Sequence, residues 1–118
     1  MKKYDIVLVN LNPTRGAEKQ GIRPCVVLQN NIANQSRLQT VTIAPITYQI
    51  RGVPSMLSVV ASKKCGLKID SCIDFSQMRT LDRGRISKTI GQLESRYYSD
   101  VREKITQFLD LFDEYSLV

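Results

Sequence analysis

The sequence predicts a mainly β protein: a small antiparallel barrel or sandwich closed by one C-terminal amphipathic α-helix. Three observations lead there. Over the first three-quarters of the chain, short apolar runs rich in Val, Ile and Leu alternate with Gly, Pro and Asn punctuation, the pattern of short paired strands. After Gly91 the apolar spacing changes to three and four residues, the period of a helix with one buried face. No apolar stretch approaches the roughly 18 residues that a membrane-spanning helix needs.

The elements follow in order. YDIVLVNL (4–11) reads as a strand, and NPTRGAEKQGI (12–22) as a long loop marked by Asn12-Pro13, Gly16 and Gly21. Arg23-Pro24 introduces a second β-rich run, CVVLQN. LQTVTIAPI (38–46) alternates two kinds of side chain, as a strand with two different faces does. TYQIRGVPS (47–55) is turn-like, and MLSVVA (56–61) and IDSCIDF (69–75) are further short strands around the SKKCG turn. Tyr98, Val101, Ile105, Phe108 or Leu109, and Phe112 then mark the helix, with Glu94 or Ser95 as its expected cap. Its aromatic residues are expected to serve as core or partner contacts, and Tyr48 is the one aromatic expected in a barrel loop.

A chain of 118 residues without repeats or linkers fits one domain, 1–118. At that size about two-thirds of the unfolded surface is buried, so no metal or disulfide staple is required. Cys25, Cys65 and Cys72 form no CxxC pair and read as free core thiols in a reducing cytoplasm. Met1-Lys2-Lys3 is followed by an apolar run too short for a signal peptide, so secretion is not expected. Histidine is absent, which excludes Ser-His triads, His zinc ligands and His general bases. No cofactor or metal is expected. Asp70 and Asp74 alternate on a strand and are expected to face solvent.

The charge is unevenly placed. Residues 1–93 hold 14 basic and 5 acidic side chains, whereas residues 94–118 hold 3 basic and 6 acidic ones. The basic clusters are Arg15/Lys19/Arg23, Lys63/Lys64/Lys68 and Arg79/Arg83/Arg85/Lys88. Such an excess favours polyanions through phosphate contacts and counterion release.

The run from Asn12 through Arg23-Pro24, followed by Val26-Val27-Leu28-Gln29-Asn30, resembles the N-terminal signature of the MazF/PemK/Kid toxins. Ala44-Pro45-Ile46-Thr47, Gln77-Met78-Arg79-Thr80-Leu81-Asp82 and the terminal helix agree with it in order and spacing. The resemblance covers essentially the whole chain. It implies an SH3-like barrel, a homodimer, and a metal-independent endoribonuclease that cuts single-stranded RNA at short sequences and is restrained by a cognate antitoxin protein. The family's catalytic Arg falls on Arg23 and its catalytic Thr on Thr47, while its Gln-x-Arg-Thr segment falls on Gln77, Arg79 and Thr80. Arg15, Glu18, Lys19, Gln20 and Ser76 complete the set expected to bind substrate. Some relatives carry a His in the first loop and an Asp before the Gln; here those places hold Ala17 and Ser76.

The chemistry asked of these residues is specific. RNA brings its own nucleophile, the 2′-hydroxyl, so the protein must supply a base, an acid for the 5′-oxygen, and positive charge for the phosphorane. The Arg23 guanidinium matches phosphate oxygens with a planar fork of donors. Thr47 is suited to stabilising charge on oxygen. Glu18, the only carboxylate of the first loop, is the alternative general base to Arg23. Two rival classes remain open. One is a CcdB-like toxin that binds DNA gyrase, a relative that depends on a Trp this chain lacks. The other is a non-catalytic RNA-binding barrel, whose expected aromatic stacking surface is not visible.

Overall fold

The runs IVLV and CVV are apolar at consecutive positions because their strands bury both faces, as strands in covered sheets do. In the computed structural model, which describes residues 1–115, they form β1 (Asp5–Asn10) and β2 (Ile22–Val27). Ile6, Val26, Ala44 and Ile46 point into one core, with Phe75, Leu93, Tyr97 and Val101. Val7, Val9, Leu11, Cys25, Val27, Val41 and Ile43 point into a second core on the other face. The remaining elements are α1 (Asn31–Gln35), β3 (Thr40–Thr47), β4 (Met56–Val59), β5 (Ser71–Asp74), β6 (Arg79–Asp82), β7 (Ile86–Gln92) and α2 (Tyr98–Leu109). Short 3-10 turns cover Phe75–Gln77, Arg83–Arg85 and Ser95–Tyr97.

All pairings are antiparallel, in the order β4-β5-β3-β2-β1-β7, with β6 also on β3. Strand β3 organises the sheet. One edge pairs with β2; along the other, Thr40–Ile43 pair with β6 and Ile46–Thr47 with β5. Pro45, which has no N–H to donate, sits where that second edge changes partner, the kind of ladder interruption that accommodates proline.

The expected barrel is corrected in one respect: the sheet is not closed by strand pairing. Its end strands, β4 and β7, share no ladder. The turn after β4 fills the gap instead, with the Gln92 amide donating to the Lys64 carbonyl at 2.8 Å. That turn is compact, held by Gly66 N–H donating to Ser62 O at 3.1 Å, and occupies the space a closing ladder would need.

The helix also starts later than expected. Ser95–Tyr97 is a 3-10 turn, and Glu94 makes no side-chain cap; its carboxylate accepts from the Ser62 hydroxyl at 3.0 Å. Helix α2 runs from Tyr98 to Leu109 and ends at Asp110, whose φ of +50° breaks it, so Phe112 lies beyond it. Val101 is buried and Tyr98 and Ile105 pack against the core. Tyr98 stacks on Tyr4 with ring centroids 3.7 Å apart, which docks the helix against the turn that precedes β1. Phe108, Leu109, Phe112 and Tyr115 are exposed, because α2 packs on the four-residue β4 and the Phe75–Gln77 turn, too short to cover its last turn. No helix among the described residues is long and apolar enough to cross a membrane.

Candidate active site

The loop joining β1 and β2, residues 11–21, carries Arg15, Glu18, Lys19 and Gln20 and leads into Arg23. Its neck is closed by Leu11 N–H donating to the Gly21 carbonyl at 2.9 Å, and by Gly21 N–H donating to Asn12 Oδ1 at 3.1 Å. Gly21 has φ +80°, a conformation that glycine adopts without steric cost. At the tip, Arg15 and Glu18 form a turn: Glu18 N–H donates to Arg15 O at 3.1 Å, and Arg15 N–H to the Glu18 carboxylate at 2.6 Å.

Arginines brace this loop from below. Arg79 Nη1 donates to the Leu11 carbonyl at 3.1 Å. Arg85 donates to the carbonyls of Asn10 and Asn12. Arg83 is turned away, donating to the Ala33 carbonyl at 3.1 Å with its Nε buried and unpartnered. The cluster predicted as a charged surface thus divides: Arg79 and Arg85 hold the loop, and Arg83 caps the end of α1.

Loop residues 18–20 separate two open grooves. The first, of about 380 Å³, is lined by Gln20, Arg23, Pro24, Tyr48 and Lys68, with Ile46 and Ile69 among its apolar walls. The second, of about 250 Å³, is lined by Glu18, Lys19, Pro45, Ser76, Gln77, Met78 and Arg79. The expected residues are therefore divided between two neighbouring grooves. Arg15 is exposed at the loop tip and lines neither. Thr80 is exposed on β6, its hydroxyl 2.7 Å from that of Thr42.

In the first groove Arg23 Nε donates to the Gln20 carbonyl at 2.8 Å. The ladder of β2 against β3 runs as far as Cys25 opposite Pro45, while Arg23 is paired with Val9 of β1 and Thr47 with Cys72 of β5. Thr47 is only 3% exposed, and its Oγ1 accepts from Gln49 N–H at 3.2 Å. Its neighbours Ile46 and Tyr48, rather than Thr47 itself, form the wall. Beneath them, burial pushes the Cys25 thiol up to about 12, against the lowering effect of the Arg23 and Arg79 guanidiniums. Cys25 stays a thiol at neutral pH and is no nucleophile.

Three placements at the site were not expected from the sequence, although Tyr48 was expected in a barrel loop and Lys68 in a basic cluster. Tyr48 is 68% exposed on the groove wall, and its place directly after Thr47 was the available signal. Lys68 and Ile69 reach the groove from the loop before β5. Asp74, expected to face solvent, is 4% exposed. It caps the Phe75–Gln77 turn, accepting from Ser76 N–H at 3.1 Å and Ser76 Oγ at 2.6 Å, and lies 4.0 Å from Lys19 Nζ. Asp70 is exposed as expected and accepts from Ala61 N–H.

Fold and site together define a small mainly β protein with an open groove that carries Arg23 and Lys68 beside apolar walls. Residues 2–109 match the PemK-like, MazF-like toxins of type II toxin-antitoxin systems, and the chain belongs to that family. The Bacillus subtilis endoribonuclease EndoA is 34% identical over 115 residues, covering 96% of this chain and 97% of that protein. Among solved structures, MazF from Deinococcus radiodurans superposes with a TM-score of 0.80 at 22% identity, over 93% of this chain and 96% of that one. An endoribonuclease from a mycobacterial species, in complex with its cognate antitoxin, does so with a TM-score of 0.77 at 14% identity, over 94% and 96%.

Proposed function

We propose that this chain is a cytoplasmic toxin that cleaves single-stranded RNA, with Arg23 and Thr47 at the scissile phosphate. The observation that carries this reading is the state of Arg23. Its Nε is anchored on the Gln20 carbonyl, while its Nη groups make no hydrogen bond among the described residues and border an open groove. An anchored guanidinium presents two donors to phosphate oxygens in fixed orientation, with little reorganisation as the phosphorane forms. The 2′-hydroxyl gives up its proton as it attacks phosphorus, the P–O5′ bond breaks as O5′ takes up a proton, and the products are a 2′,3′-cyclic phosphate and a 5′-hydroxyl with no net proton change. Glu18 lines the other groove and accepts from Arg15 N–H, which favours a role in shaping the loop. The Thr47 hydroxyl, whose oxygen already accepts from Gln49 N–H, keeps its proton, and because it is buried behind the Ile46–Tyr48 wall it reaches a phosphate oxygen only if that wall shifts.

The test uses labelled single-stranded RNA in excess EDTA. Cleavage should persist, the 3′ fragment should carry a 5′-hydroxyl, and a 2′-deoxy sugar at the cut site should block the reaction and make the oligonucleotide an inhibitor. Cutting of the deoxy substrate, or complete loss of activity in EDTA, would reject in-line attack by the 2′-hydroxyl.

Arg79 has donors beyond the one given to Leu11 O, and it lines the groove beside Gln77. Arg79→Ala should weaken RNA binding across sequences and reduce the slope of log K against log salt by about 0.7 for a single strand, one phosphate contact. An unchanged slope would remove Arg79 from the RNA path. The reading further includes a homodimer, checked by light scattering, and a cognate antitoxin whose acidic segment competes with RNA for the basic strands.

A further inference from the structure

We propose that Tyr48 binds RNA by stacking: the base of a nucleotide beside the scissile phosphate lies on its ring, in the groove that carries Arg23. This placement names a base-binding element of the proposed site and rests on the reading of Arg23 as its phosphate-binding group.

The groove is more apolar than a site for phosphate alone requires. Ile22, Tyr48 and Ile69 are 69%, 68% and 56% exposed, and all three line this one groove. They come from the start of β2, the residue after β3 and the loop before β5. A single exposed apolar side chain needs no explanation, whereas several gathered at one groove mark a contact surface. Arg23 and Lys68 line the same groove, so cation and apolar surface lie side by side. That combination matches a nucleotide, in which one sugar joins an anionic phosphate to a flat apolar base. Stacking is tolerant of sequence, because every base presents a π face.

Tyr48 is held in place and its ring is free. Thr47 ends the ladder opposite Cys72 of β5, and its Oγ1 accepts from Gln49 N–H at 3.2 Å. Tyr48 therefore sits inside a hydrogen-bonded turn at the end of the strand. Its side chain has only two torsions to fix, so ordering it against a ligand costs little. The rings of Tyr4 and Tyr98 stack on each other, and Arg96 covers Tyr97. Tyr48 meets neither a ring nor a cation among the described residues. Tyr115 is also exposed, but it lines a separate hollow with Phe108 and Gln107 to which no basic side chain contributes. Tyr48 is thus the exposed tyrosine that shares its groove with cations.

A strand whose phosphate rests on Arg23 cannot carry its flanking bases far from this wall. Left in water, those bases would leave both their own faces and the Tyr48 ring hydrated. Laid on Tyr48, a base covers the ring and fixes the sugar next to the phosphate that Arg23 holds.

The test measures binding of the uncleavable 2′-deoxy analogue of an RNA oligonucleotide to the full chain and to Tyr48→Phe, Tyr48→Leu and Tyr48→Ala, beside turnover of the cleavable strand. Tyr48→Ala and Tyr48→Leu should each weaken binding about tenfold, the scale of one base–aromatic stack, while Tyr48→Phe binds as the unaltered chain does. Tyr48 adjoins Thr47, so KM and kcat are read separately. A rise in KM with kcat held is expected, because the stack is made equally in the ground state and the transition state. A loss confined to kcat would instead report a disturbed Thr47 and overturn the proposal. Analogues lacking the base on one or the other side of the cut locate the stack. One of them should bind the unaltered chain about tenfold more weakly, yet bind Tyr48→Ala as well as the intact analogue does. Losses that multiply at both positions, or Tyr48→Ala binding within about twofold of the unaltered chain, overturn the proposal. Unchanged RNA binding with an altered oligomeric state in light scattering also overturns it, and assigns the wall to a contact between copies of the chain. If Arg23→Ala keeps its turnover, the catalytic reading fails by itself, while the base-removal comparison still decides the stack. If the unaltered chain cuts no RNA, proton NMR with a mixed-sequence deoxyribonucleotide strand decides: an upfield shift of the Tyr48 ring protons supports the stack, and no shift overturns it.

Discussion

Arg23→Ala is expected to lower kcat on the order of 10³-fold, the upper range for removing one preorganised donor to a developing oxyanion. The fold should survive, since the Arg23 side chain gives one hydrogen bond to a nearby carbonyl and lies at the mouth of a groove. Arg23→Lys should recover little, because an ammonium offers a point charge and not a planar fork. Thr47 requires a gentler probe. It is buried and its oxygen satisfies Gln49 N–H, so Thr47→Ala would also leave an amide unpaired. Thr47→Ser keeps the hydroxyl and should retain most activity, whereas Thr47→Val keeps the shape and should lose turnover more than RNA binding. Single-turnover cleavage with thermal melts measures all four. Near-normal turnover in Arg23→Ala would end the arginine mechanism.

The largest stability effect is expected at the seam that takes the place of strand pairing. A Cβ on Gly91 would lie 2.6 Å from the Lys64 carbonyl oxygen and closer still to the carbonyl of Cys65. These are backbone atoms with no rotamer to yield. Gly91→Ala should therefore cost about 3 kcal/mol, at the severe end of overpacking. Gly66 faces the same seam from the other side, against the Ile90 carbonyl, and has φ +75°, so Gly66→Ala adds roughly 1–2 kcal/mol of backbone strain to the clash. Gly52→Ala is the internal control, with φ +63° and nothing within 4 Å of the added carbon; it should show the strain alone. Urea midpoints separate the three. Equal losses at Gly52 and Gly91 would mean that the seam is not tightly packed.

The seam also shows where sequence reasoning stops. Gly66 reads as the end of the SKKCG turn and Gly91 as the point where the apolar spacing changes, and nothing local says that their backbones meet, because that contact exists only once the turn after β4 crosses to β7. The burial of Asp74 has the same origin. Alternation along a single strand cannot show that β5 lies beneath the loop before β2, or that a lysine from that loop arrives to pair with the carboxylate. Thr47 was legible as the end of a strand, but not as a buried hydroxyl with Tyr48 taking the exposed place.

What the sequence determined by itself was five strands, the first loop and the C-terminal helix, whereas β6, β7 and the extent of α1 emerged only in the fold. The consecutive apolar residues of β1 and β2 specify strands covered on both faces. The spacing from Tyr98 to Ile105 specifies a one-faced helix, and the run from Asn12 to Pro24 specifies a long glycine-bearing loop ending in an arginine. Only the tertiary structure decided which of those pieces meet: the seam in place of a closing ladder, the division of the expected site residues between two grooves, and the approach of Lys19 to the buried Asp74. Periodicity records how each residue is buried relative to its own neighbours along the chain, whereas these features depend on pairs such as Lys19 and Asp74 that are far apart in sequence. Their energies arise only where the fold brings two distant backbones into contact.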